Sequence, residues 1–451
     1  MAARVFPSGR APCTWLRRWN PEQMFRISRP VRKVWTPSAG YRPRGDNPHK
    51  RPVLRLRDGA EQRVRDGYPW IFPRDVRNQK DLESVSPCLV NVETSSGYIV
   101  GAALYNARAS IAARVVSAEA FVPVNATFFA ERLRACLAYR EQLYPEPFYR
   151  LVHGEADGLP GIAIDRYGDH VVIQATAAGV DALLWPITDA VEEVLKPKVV
   201  ILRQDAPGRK RVERAPVSRE VLRGQYTGPT ELRENGVTFV VDLLKGQKTG
   251  WYYDLREQRK ELATLAMQTP RVLDLYSYVG GFGMTCAQYG AEEVMCVDSS
   301  EPALELCLRA AAMNSLSGRV RTTRSDVVTF LEELAGPKGV QDKEVVSTYD
   351  LVILDPPNLG MDRGQVPGAL RLYERLTCAA ARICARPGFL FVASCTYHVG
   401  HHDMMGAVAR GLRWAGRSAR LVSTGGQGPD HPGHPMLPET RYLNTLLFHL
   451  E

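Results

Sequence analysis

The chain has 451 residues, 45% of them apolar and 24% charged, with a formal net charge of +9. Those proportions exclude a fibrous or wholly disordered protein, and the length sets an expectation of about three domains. Nine cysteines without a single CxxC pair argue against a disulfide framework or a zinc module, and fit an intracellular enzyme or binding protein.

The excess charge is confined to the first 52 positions, which carry 12 Lys and Arg against Glu22 and Asp46 only. The remaining residues are balanced, with 46 basic and 47 acidic side chains. An Arg-rich, acid-poor N-terminus without a continuous apolar core reads as an organelle-targeting peptide, most readily mitochondrial, with a plastid or cytoplasmic location as the alternatives. Its bland alternative is a disordered basic arm that touches RNA.

Residues 53–118 predict a small β-rich barrel: glycines and a Ser-Ser-Gly turn separate short apolar runs. The aromatic cluster from Tyr68 to Phe72 is expected to serve its core. Residues 119–243 predict an α+β unit, with helices near 126–142 and 181–195 and four strands. Pro186 forces a late start or a kink in the second helix. Between two of those strands, Arg203–Arg223 concentrates seven cations against three acids, with Arg209, Lys210 and Arg211 in succession. This segment is the expected phosphate contact; otherwise it is a solvated loop.

From 244 to the end, apolar strands alternate with helical patterns, which implies a mostly parallel sheet covered on both faces. Ligands of such α/β sheets bind beyond the carboxyl ends of the strands. The first strand ends at Asp274 and runs through Tyr276 and Ser277 into a glycine turn at Gly280. Such a turn lets a ligand approach backbone N–H groups at a helix start. It lacks the GxGxxG fingerprint, which disfavours NAD or FAD. The second strand ends at Asp298, placed for a ribose diol, and the third at Ser325-Asp326, placed for an adenine edge. This ordered set describes an S-adenosylmethionine site.

The fourth strand ends Asp355-Pro356-Pro357, a rigid corner suited to the polar edge of a base, and the fifth ends Ser394-Cys395-Thr396. A cysteine on an apolar strand is usually inert filler, as Cys296 is expected to be. Cys395 differs because it terminates its strand on the ligand side. From the residues alone, the thiol is either a nucleophile or a packing residue.

The chain resembles the bacterial ribosomal RNA large-subunit cytosine-5 methyltransferases that carry an N-terminal PUA domain. The resemblance is carried by His153-Gly154-Glu155-Ala156-Asp157-Gly158-Leu159-Pro160-Gly161, by Gln247-Lys248-Thr249-Gly250-Trp251-Tyr252-Tyr253-Asp254, and by Gln427-Gly428-Pro429-Asp430-His431-Pro432. The glycine turn, Asp355-Pro356-Pro357 and Ser394-Cys395 add to it. It implies a PUA-like RNA-binding domain (53–118), a middle α+β domain (119–243) and a Rossmann-like methyltransferase domain (244–451), acting on ribosomal RNA. It implies Cys395 as catalytic thiol, Asp355 as base-binding acid, Asp298 and Asp326 as cofactor acids, and Lys248 on the substrate side. The family's Ser-Cys-Ser is Ser394-Cys395-Thr396 here, and Asn358-Leu359 replaces its Lys or Ala then Phe, which leaves the base pocket open. Two other functions fit parts of the pattern: an RNA methyltransferase acting on a base nitrogen, which needs no thiol, and a non-catalytic ribosome-assembly factor.

Overall fold

Four sheets organise the computed structural model, which describes residues 46–335, 349–360 and 362–451. The basic N-terminal stretch therefore lies outside the described residues except for 46–52. Those last residues belong to the body. Arg51 is buried, donates to Asp46 and, at 3.2 Å, to the Asn91 side chain, and anchors the chain against the first sheet.

The first sheet has five strands, Val53–Arg55, Trp70–Ile71, Cys88–Glu93, Ile99–Tyr105 and Ala113–Ser117, around a core of Leu54, Val90, Val92 and Tyr105. The aromatic cluster is divided. Ile71 is in the core, whereas the Trp70 indole donates to Glu155 at 2.8 Å and is faced by Arg114.

A second five-stranded sheet spans Phe148–His153 to Arg219–Arg223, backed by helices Ala126–Leu143 and Leu184–Leu195. The longer helix begins where the Asn125 side chain accepts from the Phe128 N–H at 3.0 Å. The shorter begins late, as Pro186 requires: a 3-10 turn, Ala178–Leu183, precedes it. A hairpin, Thr230–Glu234 with Val237–Val241, turns at Asn235 and Gly236, both at positive φ.

The segment Arg203–Arg223, expected to contact phosphate, turns two of its seven cations inward. Arg203 and Arg209 are fully buried. Arg203 donates to Asp205 and to the carbonyls of Leu243 and Gly246 at 2.9 Å. Arg209 donates to Asp181 at 2.5 Å and to the carbonyls of Ala175, Ala177 and Pro216. Arg211, Arg219 and Arg223 pair with Asp362, Asp205 and Glu192. Only Lys210 and Arg214 are left of the seven as open cations. Guanidinium groups solve a local problem here: they satisfy carbonyls that strand ends and loops leave unpaired.

The last sheet positions the site. Its strands are β1 (Arg271–Leu275), β2 (Glu293–Asp298), β3 (Val320–Arg324), β4 (Tyr349–Leu354), β5 (Cys384–Ser394), β6 (Ala419–Gly425) and β7 (Asn444–Leu450). They lie in the order β3-β2-β1-β4-β5-β7-β6, with β1 to β5 parallel and β7 antiparallel to both its neighbours. Alternate residues point to opposite faces. Val272 and Ile353 pack under helices Gly281–Gln288 and Glu301–Met313, while Leu273 and Val352 pack under Val366–Ile383 and His401–Trp414. Burial on both faces explains the unbroken apolar runs of β4 and β5. Strand order reverses between β1 and β4, so a crevice opens beyond their carboxyl ends.

Arg209→Ala should lower stability by about 3 kcal/mol, because three carbonyls and a carboxylate lose their donor. Thermal unfolding checks it, and an unchanged midpoint would restore Arg209 to the surface.

Candidate active site

At the β1 terminus the chain makes a strained turn. Tyr276, Tyr278 and Gly280 all have positive φ, at 61°, 51° and 80°. A side chain at Gly280 would meet the Cys307 sulfur at 2.5 Å, so the turn packs directly on the helix behind it. Asp274 ties the turn down: its Oδ2 accepts from the Gly283 N–H at 2.8 Å. Asp298 braces the other side, accepting from the N–H groups of Tyr278 at 2.9 Å and Ser300 at 2.8 Å.

Two buried polar atoms in this turn have no partner, Asp274 Oδ1 and Ser277 Oγ. Burial pushes the Asp274 carboxyl up to about 7, with the Asp355 and Asp298 charges adding to the effect. Asp326 is exposed, and its Oδ1 accepts from the Thr329 N–H at 3.0 Å, capping helix Val327–Ala335. Burial and then the charges of Asp326 and Asp298 raise the Tyr276 phenol. Orphaned acceptors, a glycine cradle and successive acids fit a ligand with hydroxyls and an ammonium group, which is the chemistry of S-adenosylmethionine.

The second half of the crevice lies beyond β4 and β5. Register pairs Leu354 with Val392, so Asp355 and Cys395 leave neighbouring strands on the same side. Pro356 is buried and Pro357 exposed, which fixes the corner. Burial, then the Asp254 charge, pushes the Asp355 carboxyl up to about 7, opposed by Lys248 and Arg259. Cys395 is half-buried; burial pushes its thiol up to about 11, Lys248 pulls it down, and Asp355 and Asp254 push it up. The Lys248 charge thus favours the ionised form of both side chains. Cys296 is fully buried under the glycine turn, as expected of filler.

The two departures from the resembled family meet each other. The Thr396 hydroxyl donates to Asn358 Oδ1 at 3.3 Å and accepts from the Leu359 N–H at 3.2 Å. These bonds close the loop after Pro357. Arg209 is buried in the short helix Pro207–Arg211 of the middle unit, and Lys210 and Arg211 beside it are exposed.

Sequence reasoning missed Asp254, Tyr442 and Tyr252. Asp254 is buried, accepts from Lys248 Nζ at 3.2 Å and from the Tyr442 hydroxyl at 2.5 Å. The Lys248 ammonium also sits 4.1 Å from the centre of the Tyr252 ring. A signal for Tyr252 and Asp254 was present in Gln247–Asp254, a polar stretch too aromatic for an ordinary loop, whereas Tyr442 had none.

Residues 54–118 match a family described as PUA-like domain, and 208–399 match one described as S-adenosylmethionine-dependent methyltransferase. A Ribosomal RNA large subunit methyltransferase I of Shewanella amazonensis is 31% identical over 399 residues, covering 87% of this chain and 98% of that protein. A Ribosomal RNA large subunit methyltransferase of Deinococcus radiodurans is 32% identical over 415 residues, covering 89% and 98%. The chain belongs to the ribosomal RNA large subunit methyltransferase family. It is an S-adenosylmethionine-dependent methyltransferase. Its fold is that of a Streptococcus mutans protein described as a SAM-dependent methyltransferase, at a TM-score of 0.72 and 20% identity over 88% of this chain and all of that one.

These relatives correct the mitochondrial expectation drawn from residues 1–52. They are bacterial proteins, from cells that hold no mitochondrion or plastid, so organelle import is no property of the family they represent.

Asp298→Ala should weaken S-adenosylhomocysteine binding by about 1.5–3 kcal/mol, through loss of a charged acceptor and of the brace on Tyr278. Calorimetry showing unchanged affinity would make Asp298 a structural cap alone.

Proposed function

We propose that this chain methylates carbon 5 of a cytosine in large-subunit ribosomal RNA, with Cys395 as covalent nucleophile. The observation that carries the reading is the placement of Asp355 and Cys395 just past the ends of adjacent parallel strands, on the same side of the sheet, with the Lys248 charge acting on both. A base-nitrogen methyltransferase would have no use for the thiol. The names of the bacterial relatives support the RNA class.

In this reading Asp274, Ser277, Gly280 and Asp298 hold the cofactor, with Asp326 and Tyr276 at its outer edge. When bound, S-adenosylmethionine supplies the methyl group as a sulfonium. Carbon 5 of cytosine is a poor nucleophile until something adds at carbon 6, and a thiolate does this. The thiol resists ionisation, so its proton must go to a neighbouring base. Asp355, poised near neutrality, takes it and passes it to N3 of the cytosine. The S–C6 bond forms and the C5=C6 electron pair moves to carbon 5. After methylation, water takes the proton from carbon 5, the C5–H electron pair re-forms the C5=C6 bond as the S–C6 bond breaks, and the N3 proton returns through Asp355 to the sulfur. The target base must be unstacked to reach this crevice, which favours open or unpaired RNA.

The division into a PUA-like unit at 53–118, a middle unit at 119–243 and a methyltransferase unit at 244–451 suits this function. The first unit carries a cavity of about 680 Å³ lined by Arg55, Arg57, Arg77 and Lys80, which supplies phosphate contacts that the middle unit's buried arginines do not.

Cys395→Ala should abolish methyl transfer while S-adenosylhomocysteine affinity stays within a few-fold; full activity would favour a nitrogen acceptor. For the wild type, kcat/KM should rise about tenfold per pH unit below 7, as Asp355 ionises, and then level off. A rate that keeps climbing to pH 9 would mean that the thiolate forms without Asp355.

A further inference from the structure

Asp254 takes no part in the scheme above, yet the fold buries it beside the reacting pair. It is 2% exposed. Its Oδ2 accepts both Lys248 Nζ and the Tyr442 hydroxyl, while its Oδ1 is buried without a partner. Its main-chain carbonyl accepts the Gly428 N–H at 3.0 Å. Gly428 and Tyr442 both come from the C-terminal segment, so Asp254 is fixed from outside its own loop. A buried carboxylate costs several kcal/mol unless it is paired, and such an arrangement needs a reason.

Lys248 supplies one. It sits at a φ of 43°, in the left-handed region that a lysine rarely adopts. Its side chain is 37% exposed, and a lysine of that freedom would distribute its charge over many rotamers. The ion pair with Asp254 selects one of them.

We propose that Asp254, held by Tyr442, is a positioning residue that fixes the Lys248 ammonium beside Cys395. The proposal rests on the nucleophile reading of Cys395. Its electrostatics have a sign that can be tested. The charged groups facing the thiol are Lys248, Asp355 and Asp254, with the phenols of Tyr252, Tyr373 and Tyr442 around it. Asp254 acts on the thiol twice: its own charge opposes ionisation, and the ammonium it holds favours it. Lys248 has the largest effect of the three charges and Asp254 the smallest. A positioning role for Asp254 requires that losing the placement of the cation outweigh losing the anion.

The test is the rate of Cys395 alkylation by iodoacetamide across pH in the full chain, read by peptide mass spectrometry. Asp254→Ala should slow alkylation at pH 8 by roughly three- to tenfold, since only the thiolate reacts. Tyr442→Phe, which keeps every charge, should slow it less. In a Lys248→Ala background the same Asp254→Ala change should speed alkylation, because only the anion is left to remove. Calorimetry with S-adenosylhomocysteine reports that each variant is folded. Faster alkylation in Asp254→Ala alone, or the same sign in both backgrounds, overturns the proposal. Methyl transfer by Cys395→Ala is measured separately. Activity there removes the nucleophile reading, whereas an inactive Cys395→Ala with unmoved alkylation removes the positioning role alone.

Discussion

A buried charge must be paired, and pairing is what brings the distant segments of this chain together. Arg140 is fully buried and holds Asp157 through two bonds of 2.7 Å. It also donates to the Asp430 carbonyl at 2.8 Å. Arg150 holds Asp165, which accepts the Thr249 hydroxyl, and the Arg150 N–H reaches Asp430 Oδ2 at 3.0 Å. Arg256 and Arg259 close on Glu234 of the hairpin. Removing either partner of such a pair strands the other in a low-dielectric interior. The middle unit, the loop 247–254 and the C-terminal segment 427–432 are therefore locked in one arrangement.

That lock has a consequence for chemistry. The parallel sheet alone would present Asp355 and Cys395 at adjacent strand ends, but it would not supply a cation. Lys248 comes from the loop that the ion pairs hold against the sheet. In the proposed function the crevice divides its work: the ends of β1 to β3 take the cofactor, the ends of β4 and β5 take the base, and the loop sets the charge between them. His153 and His431, 5.0 Å apart by ring centres, sit behind that loop. Burial first, and then His431 and Arg150, hold His153 well below its ordinary range.

Much of this was legible in the sequence, for a physical reason. Parallel strands buried on both faces leave long apolar runs, and each run here ends in a conspicuous polar residue: Asp274, Asp298, Asp355, Cys395. The final antiparallel pair was not legible. β6 is exposed along nearly its whole length, so no alternation marks it. Direction is the other thing that composition hides. An arginine reads the same whether it faces solvent or a cluster of carbonyls, which is why Arg203 and Arg209 passed for a phosphate surface. Asp254 was hidden likewise, because its partners Lys248 and Tyr442 stand 6 and 188 positions away.

The central claim is a covalent bond between Cys395 and carbon 6 of a cytosine, and trapping that bond tests it most directly. With a fluorine at carbon 5 of the target cytosine, the elimination has no proton to lose, so the adduct accumulates. Large-subunit ribosomal RNA containing 5-fluorocytosine, incubated with the chain and S-adenosylmethionine, should give a protein–RNA species that survives denaturing electrophoresis. Peptide mapping should place the link on Cys395. Methylation of unmodified RNA by the same preparation, with no trapped species on the fluorinated RNA, would contradict the account.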